Sequence, residues 1–282
     1  MPHVFSRLLL ATEHSEYDSG AEALALALAR RCGLPLAGVM PVVSNPEFEM
    51  VAPQLAARAD AQAAVKRQSL EALAQAQGVT LTLHVRHGQE PFAEIVDEAR
   101  EQAADLLVIR RRGKRGLLAN LLVGEMVSKV VSHAPCSVLV TPRGAQMWSR
   151  RVLVGLDPLQ PDRATLALAA DVAGECGLPL HLLCVIPGEA ARAAAQQVLA
   201  ELLAQVRARC AQVDGECRVG RPHEQLIAAT ATHEADLVVI GRHHANNLGR
   251  AWIGGVAQKV IGLAECPVLV HVNPPADKAA IP

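Results

Sequence analysis

The stretch VVIGRHHANNLGRAWIGGVAQKV, from Val238 to Val260, contains in one piece the pattern that decides the fold. An apolar run of strand length ends at Gly241, a polar spacer follows, and the pair Gly254 and Gly255 precedes a segment with helical spacing. A buried strand, a glycine-containing loop and a helix in this order are typical of α/β domains that hold phosphate groups on backbone N–H groups. The stretch therefore predicts a phosphate-binding loop in which some of the usual residues are replaced.

The same plan occurs earlier in the chain. LVIRRRGKRGLLANLLVGEMVSKV, from Leu107 to Val130, has the strand, the loop and the helix, but carries Arg110 where the later copy has Gly241. Three further pairs of blocks recur in the same order: RLLLATEHS from Arg7 with RVLVGLDPL from Arg151, CGLPLAGV from Cys32 with CGLPLHLL from Cys176, and APCSVLV from Ala134 with AECPVLV from Ala264. A period of about half the chain predicts two tandem copies of one domain rather than short solenoid repeats.

The predicted boundary between the copies lies in TPRGAQMWSR, Thr141 to Arg150, where proline, glycine and polar residues separate two apolar runs. We expect a first domain at 1–143, a second at 150–273 and a tail at 274–282. A chain of 282 residues is long enough for two domains that each bury a core.

Within each copy, short runs of Val, Leu and Ile alternate with longer segments of helical spacing. In the first copy, strands are predicted at RLLLA, LPLAGVMPV, VTLTLHVR, DLLVI and SVLV. The first helix, DSGAEALALALARRCG, is expected to be capped by Asp18 or Ser19 and to end at Gly33. Further helices are predicted at about Pro53 to Gln77, Pro91 to Ala103 and Gly124 to His133, and at Gly188 to Cys210 in the second copy.

Apolar strands linked by helices predict parallel strands that are covered on both faces. The predicted fold class is α/β, with two tandem, doubly wound, five-stranded parallel-sheet domains of Rossmann-like type. In such sheets ligands bind at the carboxyl ends of the strands, where the strand order reverses.

The composition narrows the class of partner. Aromatic residues make up 2% of the chain and the formal net charge is −1, so small aliphatic side chains must fill the core and no global field attracts nucleic acid or an anionic membrane. Seven cysteines without a C-x-x-C pair are typical of reduced thiols, and the apolar runs are too short to cross a bilayer. We expect a cytoplasmic protein without a signal peptide, without a membrane partner and without a nucleic-acid partner.

The sequence nominates no catalytic residue and no metal site. It has no G-x-S-x-G elbow and no Walker loop, and the adjacent His243 and His244 have no cysteine or carboxylate at metal-ligand spacing. His84 and His87 are expected on opposite sides of a strand as surface or turn residues. Cys210 and Cys217 lie near a predicted helix end and the following strand of the second copy; structural roles are favoured for both, and a redox pair is the alternative. We therefore predict no catalytic residue and no metal ligand.

Together, the first-strand segments, the glycine loop after the fourth strand and HAPCSVLV, His133 to Val140, make the chain resemble the universal stress protein family in its tandem form. The resemblance covers nearly the whole chain. It implies an adenine nucleotide alpha hydrolase-like fold and a stress-response regulator or sensor. Nucleotide-binding members of this family have an acidic residue after strand one and the loop G-x2-G-x9-G-[S/T] after strand four.

The second copy keeps the frame of that loop, because nine residues separate His244 from Gly254. His244 replaces the second glycine and Gly255 replaces the Ser or Thr, whose hydroxyl is worth about 1 kcal/mol; a protonated histidine can itself donate to phosphate. The resemblance implies ATP or ADP in this domain, with or without Mg²⁺. The site residues it implies are Asp157 for ribose or adenine, Val185 beside the base, and Gly241, His244, Gly254, Gly255, Val256 and Ala257 around the phosphates.

The first copy departs further from the pattern. Glu13 stands at the acidic position, Arg110 replaces the strand-end glycine, ten residues separate Gly113 from Gly124, and Glu125 replaces the hydroxyl residue. A carboxylate in the first turn of a helix repels a phosphate that seeks the same N–H groups. We therefore expect a degenerate first site that does not bind ATP in the usual pose.

Several alternatives remain open. The basic run made of Arg110, Arg111, Arg112, Lys114 and Arg115 is expected to pair with Glu125 or with the other half, to be solvated, or to hold a phosphate or polyphosphate. The protein as a whole is a nucleotide-binding regulator with an unidentified protein partner, an interaction protein with both sites closed, or a weak nucleotide hydrolase. The resemblance also implies an intramolecular pseudo-dimer through SVLV and PVLV, and a homodimer is a further option.

Overall fold

The computed structural model describes residues 3–14, 20–45, 50–111, 124–242 and 253–273. These residues form two compact units. The first, called the first domain below, contains residues 5–111 and 124–147; the second domain contains residues 3–4, 148–242 and 253–273. The predicted α/β fold class with two parallel-sheet domains is confirmed.

The first domain alternates strands and helices along its whole length. Its strands are β1 (Leu8–Ala11), β2 (Leu36–Val43), β3 (Leu81–Gly88), β4 (Leu106–Arg110) and β5 (Ser137–Thr141). Its helices are α1 (Ala21–Cys32), α2 (Pro53–Ala76), α3 (Pro91–Glu101) and α4 (Glu125–His133). The strands are parallel in the order β3-β2-β1-β4-β5.

The ends of α1 show how the sequence sets the helix limits. Gly33 ends the helix with φ 62, a left-handed conformation that glycine adopts without strain. At the other end Gly20 takes the cap position, while the predicted caps Asp18 and Ser19 lie outside the described residues.

The second domain repeats this order. Its elements are β6 (Val152–Leu156), α5 (Arg163–Cys176), β7 (Leu180–Ile186), a 3-10 turn (Glu189–Ala191), α6 (Arg192–Val206), β8 (Val213–Val219), α7 (Pro222–Thr232), β9 (Leu237–Gly241), α8 (Gly255–Leu263) and β10 (Val268–His271). The strands are parallel in the order β10-β9-β6-β7-β8. The predicted helix from Gly188 to Cys210 is thus shorter than expected, because Cys210 is buried beyond its end and donates its thiol to the carbonyl of Leu178 (3.4 Å).

In both domains the first strand lies between the second and the fourth, so the strand order reverses at β1 and β4 and again at β6 and β9. The register pairs Ala11 with Ile109 and Val154 with Val239. The carboxyl ends of these strands therefore flank a switch point in each domain, which is where ligands bind in open parallel sheets.

The two domains share a local backbone feature as well as the strand order. Ala103 follows α3 with φ 45 and Glu234 follows α7 with φ 52, and both are non-glycine residues in the left-handed region. The residues Leu237, Val238 and Val239 of β9 are fully buried, as expected for a strand that is covered on both faces. None of the helices in the described ranges combines the length and apolar character needed to traverse a bilayer.

Gly174 of α5 tests the close packing of the second domain. A Cβ atom at this position would lie 2.3 Å from the backbone oxygen of Arg209, which cannot rotate away as a side chain does. Glycine to alanine in a helix normally stabilises by about 0.8–1 kcal/mol. We expect Gly174→Ala instead to destabilise the second domain by about 1–3 kcal/mol, the cost of overpacking, in urea unfolding followed by circular dichroism.

Gly255→Ala is the matched control, since a Cβ at this helical glycine meets no atom within 4 Å. Its free energy of unfolding should change by less than about 0.5–1 kcal/mol. A Gly174→Ala protein that is more stable than wild type would contradict the packing of α5 against Arg209.

Candidate functional site

Asp157 marks the switch point of the second domain. It is the first residue after β6 and is half-buried. Its Oδ1 accepts a hydrogen bond from the backbone N–H of Leu159 (2.9 Å), and its carbonyl accepts one from Gln160 (3.2 Å). This turn, in which the aspartate side chain binds its own backbone, holds the carboxylate in a fixed position at the end of the strand.

Val185 lies at the same level on the neighbouring strand. The register pairs Leu156 with Cys184, so the residue after each, Asp157 and Val185, is next to the strand end. Val185 is half-buried, whereas Cys184 is fully buried. Burial raises the pKa of the Cys184 thiol to about 12. Its position near the strand end and its partial exposure leave Val185 accessible to a ligand at this end of the sheet.

Gly241 ends β9 against the start of α5. A Cβ at this position would lie 3.0 Å from Asp162 Oδ2 and 3.2 Å from Thr165 Oγ1. Asp162 is the N-cap of α5, and its Oδ1 accepts from the N–H groups of Ala164 (3.1 Å) and Thr165 (3.0 Å). The glycine therefore has a packing role in addition to the close approach to ligand that the sequence predicts.

A hydrogen-bonded chain behind Gly241 was not predicted from the sequence. The hydroxyl of Thr165 donates to Asp162 Oδ2 (2.7 Å) and accepts from Nδ1 of His271 (3.0 Å), the last residue of β10. Burial lowers the pKa of His271, which favours the neutral ring; the hydrogen bond to Thr165 places its proton on Nδ1. The spacing of Asp162 before α5 is an N-cap signal that sequence reasoning could have used, whereas His271 joins only through the tertiary fold.

The two ends of the loop between β9 and α8 meet at Arg242. The N–H of Arg242 donates to the carbonyl of His271 (3.0 Å), and its carbonyl accepts from the N–H of Gly254 (3.1 Å). Burial lowers the pKa of the half-buried Arg242. The predicted site residue His244, together with His243, lies outside the described residues.

The start of α8 is an open helix N-terminus. Gly254 takes the cap position with φ −61 and ψ 145, and no side-chain hydrogen bond caps the helix among the described residues. The N–H groups of Gly255, Val256 and Ala257 are in the first turn, where an α-helix offers no intrahelical acceptor. Gly255 is exposed, and a Cβ built there meets no atom within 4 Å. Such a terminus suits an anion, because the N–H groups and the helix dipole both favour negative charge.

The first domain holds an ion pair at its switch point. Arg110 ends β4 and Glu13 follows β1, at the positions of Gly241 and Asp157 in the second domain. The guanidinium of Arg110 lies 2.8 Å from Glu13 Oε1, and the two side chains are 12% and 18% exposed. The carboxylate that stands in for the family's aspartate is thus neutralised by the residue that replaces the glycine.

Glu125 is the first residue of α4 and is highly exposed. Its Oε1 lies 3.1 Å from Nζ of Lys129, one turn later on the same helix face, and this contact raises the pKa of Lys129. The expected pairing of Glu125 with the basic run is therefore wrong for Arg110, which binds Glu13 instead. Gly113 and the basic residues Arg112, Lys114 and Arg115 lie outside the described residues.

Gly124 takes the cap position of α4, as Gly254 does for α8. Its φ of −55 and ψ of 142 are close to those of Gly254, and no side-chain hydrogen bond caps this helix in the described part of the chain. The backbone frame of the two loops is therefore the same at the helix start. The difference lies in the side chains, since α4 places the carboxylate of Glu125 where α8 has Gly255.

A second ion pair of the first domain, between Lys66 and Glu22, lies near β1. The hydroxyl of Thr12 donates to Glu22 Oε1 (2.5 Å), and Nζ of Lys66 lies 2.8 Å from the same carboxylate. The corresponding residues of the second domain are the apolar Leu156 and Leu166. The first domain thus satisfies its charges at this end of the sheet with its own side chains.

The comparison with known sequences agrees with this architecture. The sequence model of the Universal stress protein family matches the chain twice, over residues 5–142 and 149–271. The chain therefore belongs to the universal stress protein family, and the tandem form suggested by the internal repeat is confirmed.

A universal stress protein of Mycobacterium tuberculosis is 30% identical over 197 residues, which are 64% of this chain and 65% of that protein. A relative in Mycolicibacterium smegmatis is 26% identical over 214 residues, 71% of each chain. The match to the first of these spans just under two thirds of its length. Among solved structures, a universal stress protein from Archaeoglobus fulgidus has a TM-score of 0.69 at 18% identity over 93% of this chain and 97% of that chain, which shows the fold alone.

A double-mutant cycle on Glu13→Gln and Arg110→Gln tests the ion pair of the first domain. Because both side chains are mostly buried, we expect a coupling energy of about 1.5–3 kcal/mol, as for hydrogen bonds to charged groups, from the urea-unfolding free energies of the four proteins.

The exposed pair of Asp97 and Arg100, 2.6 Å apart in the same domain, is the matched control. Its cycle should give only about 0.2–1 kcal/mol, as exposed pairs do. Equal coupling energies for the two pairs would show that Arg110 does not hold Glu13 in a protected contact.

Proposed function

We propose that the second domain binds an adenine nucleotide, ATP or ADP, and that the protein acts as a cytoplasmic stress-response regulator without obligatory turnover. The observation that carries this proposal is the exposed start of α8, whose first-turn N–H groups face no side-chain cap in the described residues. It follows a loop whose ends are joined by the hydrogen bond from Gly254 to Arg242. The carboxylate of Asp157 is fixed at the switch point of the same sheet.

Each predicted residue then has a physical role. Asp157 accepts hydrogen bonds from ribose hydroxyls or from the adenine amine, and Val185 contacts the base. Gly241 allows the backbone to approach the sugar and the phosphates. The N–H groups of Gly255 and the residues after it, Val256 and Ala257, bind phosphate oxygens at the helix N-terminus.

The first domain has a different role in this proposal. Its switch point carries the pair of Arg110 and Glu13, and the start of α4 carries Glu125. An incoming phosphate would meet a carboxylate at the helix start and would have to displace the ion pair. We infer that this domain does not bind the nucleotide, which occupies the second domain only.

A pair of substitutions at one position tests the site. Gly255→Glu copies the residue that the first domain has at the start of α4, and Gly255→Gln has nearly the same size without the charge. A charge about 4 Å from a phosphate costs about 1–4 kcal/mol. We therefore expect Gly255→Glu to bind ATP and ADP at least about fivefold more weakly than Gly255→Gln, by isothermal titration calorimetry with and without Mg²⁺.

Asp157→Asn is a second probe, because asparagine keeps an oxygen that can accept from Leu159 but removes the charge and replaces the other acceptor oxygen with an NH2 donor. It should weaken nucleotide binding without lowering the melting temperature. Wild-type protein that gives no heat with millimolar nucleotide would favour the interaction-protein alternative. Phosphate release that stops in Asp157→Asn would instead favour a hydrolase.

A further inference from the structure

A second cluster of polar side chains lies near the opposite edge of the second-domain sheet. His181 is the second residue of β7, Asp214 and Glu216 are on the neighbouring β8, and His233 directly follows α7. His181 is five residues before the carboxyl end of β7, about 16 Å at the rise of a β-strand. The cluster is therefore separate from the proposed nucleotide site and does not depend on it.

Asp214 fixes the tautomer of His181. Nδ1 of His181 lies 2.7 Å from Asp214 Oδ1, and the same carboxylate is bound by the guanidinium of Arg151 (3.0 Å). A carboxylate bound to an arginine is an acceptor, so Nδ1 carries the proton and donates it. The lone pair of the neutral imidazole is then on Nε2.

Nε2 of His181 is the unusual atom of the cluster. The side chain is only 4% exposed, and Nε2 has no hydrogen-bond partner within the described ranges. Oε1 of Glu216, a side chain that is 35% exposed, lies 3.5 Å from it. Nε2 of His181 and this oxygen face each other as two acceptors, and a cation between them would bind both.

His233 brings a third ligand atom to the same point. Its Nε2 lies 2.8 Å from Oε1 of Glu216, and the ligand atoms of His181, Glu216 and His233 all lie within 4.8 Å of one another. We propose that these three residues bind one divalent transition-metal ion, with Zn²⁺ as the favoured ion. Two imidazoles and one carboxylate suit zinc, and three protein ligands leave a fourth position for water.

The second shell fits this assignment. The hydrogen bond from His181 Nδ1 to Asp214 reproduces the arrangement in which a carboxylate orients a metal-bound histidine. Arg151 fixes that carboxylate in turn. The ring of His181 is thus oriented before any metal arrives.

Metal binding requires two movements. The rings of His181 and His233 are stacked with centroids 3.7 Å apart and planes at 24°. Nε2 of His233 donates to the Glu216 carboxylate, so its proton must leave when a metal ion binds. His233 is the more exposed of the two, at 22%, and it must turn so that the lone pairs converge. Arg218, whose guanidinium lies 2.7 Å from Glu216 Oε1 and 3.3 Å from His233 Nε2, must leave the carboxylate. In this proposal Arg218 is a competing cation for the same ligands.

The first domain provides an internal comparison. By the repeat, the positions of His181, Glu216 and His233 are taken by Ala37, His84 and Gln102. There the arginine that corresponds to Arg218 is Arg86, which binds three carboxylates of α3: Glu94, Glu98 and Glu101. The corresponding residues of α7 are the uncharged Gln225, Ala229 and Thr232. In the second domain the arginine, Arg218, therefore forms its salt bridge with Glu216 on the strand β8.

A titration of the full-length chain with Co²⁺ tests the proposal. The protein is first stripped of metal with a chelator, and the chelator is then removed. Wild type should bind one equivalent with the intense visible d–d band of a four-coordinate ion, which Zn²⁺ then displaces. His233→Gln and Glu216→Gln should each lose that equivalent. Arg218→Gln should bind more tightly than wild type, because the competing cation is gone. Asp214→Asn should bind about 10–100-fold more weakly, as second-shell changes do.

His84→Gln, in the corresponding cluster of the first domain, is the matched control and should leave the Co²⁺ equivalent unchanged. Melting curves without metal identify variants that fail to fold. The prediction for Arg218→Gln is a gain of affinity, so misfolding cannot produce it. Three results would each overturn the proposal: no bound equivalent in wild type, an unchanged spectrum in both ligand variants, or a thiolate-to-Co²⁺ charge-transfer band that assigns the ion to cysteines.

Discussion

Burial of the central parallel strands on both faces is the constraint on which the rest of the structure depends. In β4 and β9 the strand interior is filled with Leu, Val and Ile and leaves no room for polar groups. Polar chemistry is therefore confined to the strand ends and to the outer strands of each sheet. The switch point with Asp157 is at a strand end, and the cluster around Glu216 is on the outer strand β8.

This constraint explains how much of the fold could be predicted from the sequence. Apolar runs and helical spacing fix the elements, the repeat fixes the number of domains, and Gly33 marks a helix end that the structure confirms. The positions of the candidate site also follow, because the ends of the first and fourth strands meet in any sheet of this topology. The occupants of those positions are harder to predict, since the contact between Glu13 and Arg110 joins residues 97 positions apart.

The histidine cluster is a set of contacts that the sequence analysis did not predict. His181 lies in β7, and α6, β8 and α7 separate it from His233. No motif of metal-ligand spacing connects the two histidines to Glu216. The sequence-based prediction of no metal site rested on adjacent histidines in a loop, whereas the cluster forms only when β7, β8 and the end of α7 come together. The one signal available was the comparison of the two copies, because the first has Ala37 and Gln102 at the corresponding positions.

The residues at the two switch points differ in a way that the stability of the fold alone does not explain. Glycine loses more backbone freedom on folding than any other residue, and the start of α8 has Gly255 at its first position with no side-chain cap in the described residues. The first domain has replaced this feature by Glu125, which interacts favourably with the helix dipole, and has filled the strand end with an ion-paired Arg110. Features that lower local stability without a packing gain are expected where a backbone must approach a ligand. Gly241 has such a packing gain against Asp162, so the strand-end glycine alone is a weak argument for a ligand. Gly254 and Gly255, at the start of α8 where no side chain of the described residues caps the helix, are the stronger argument.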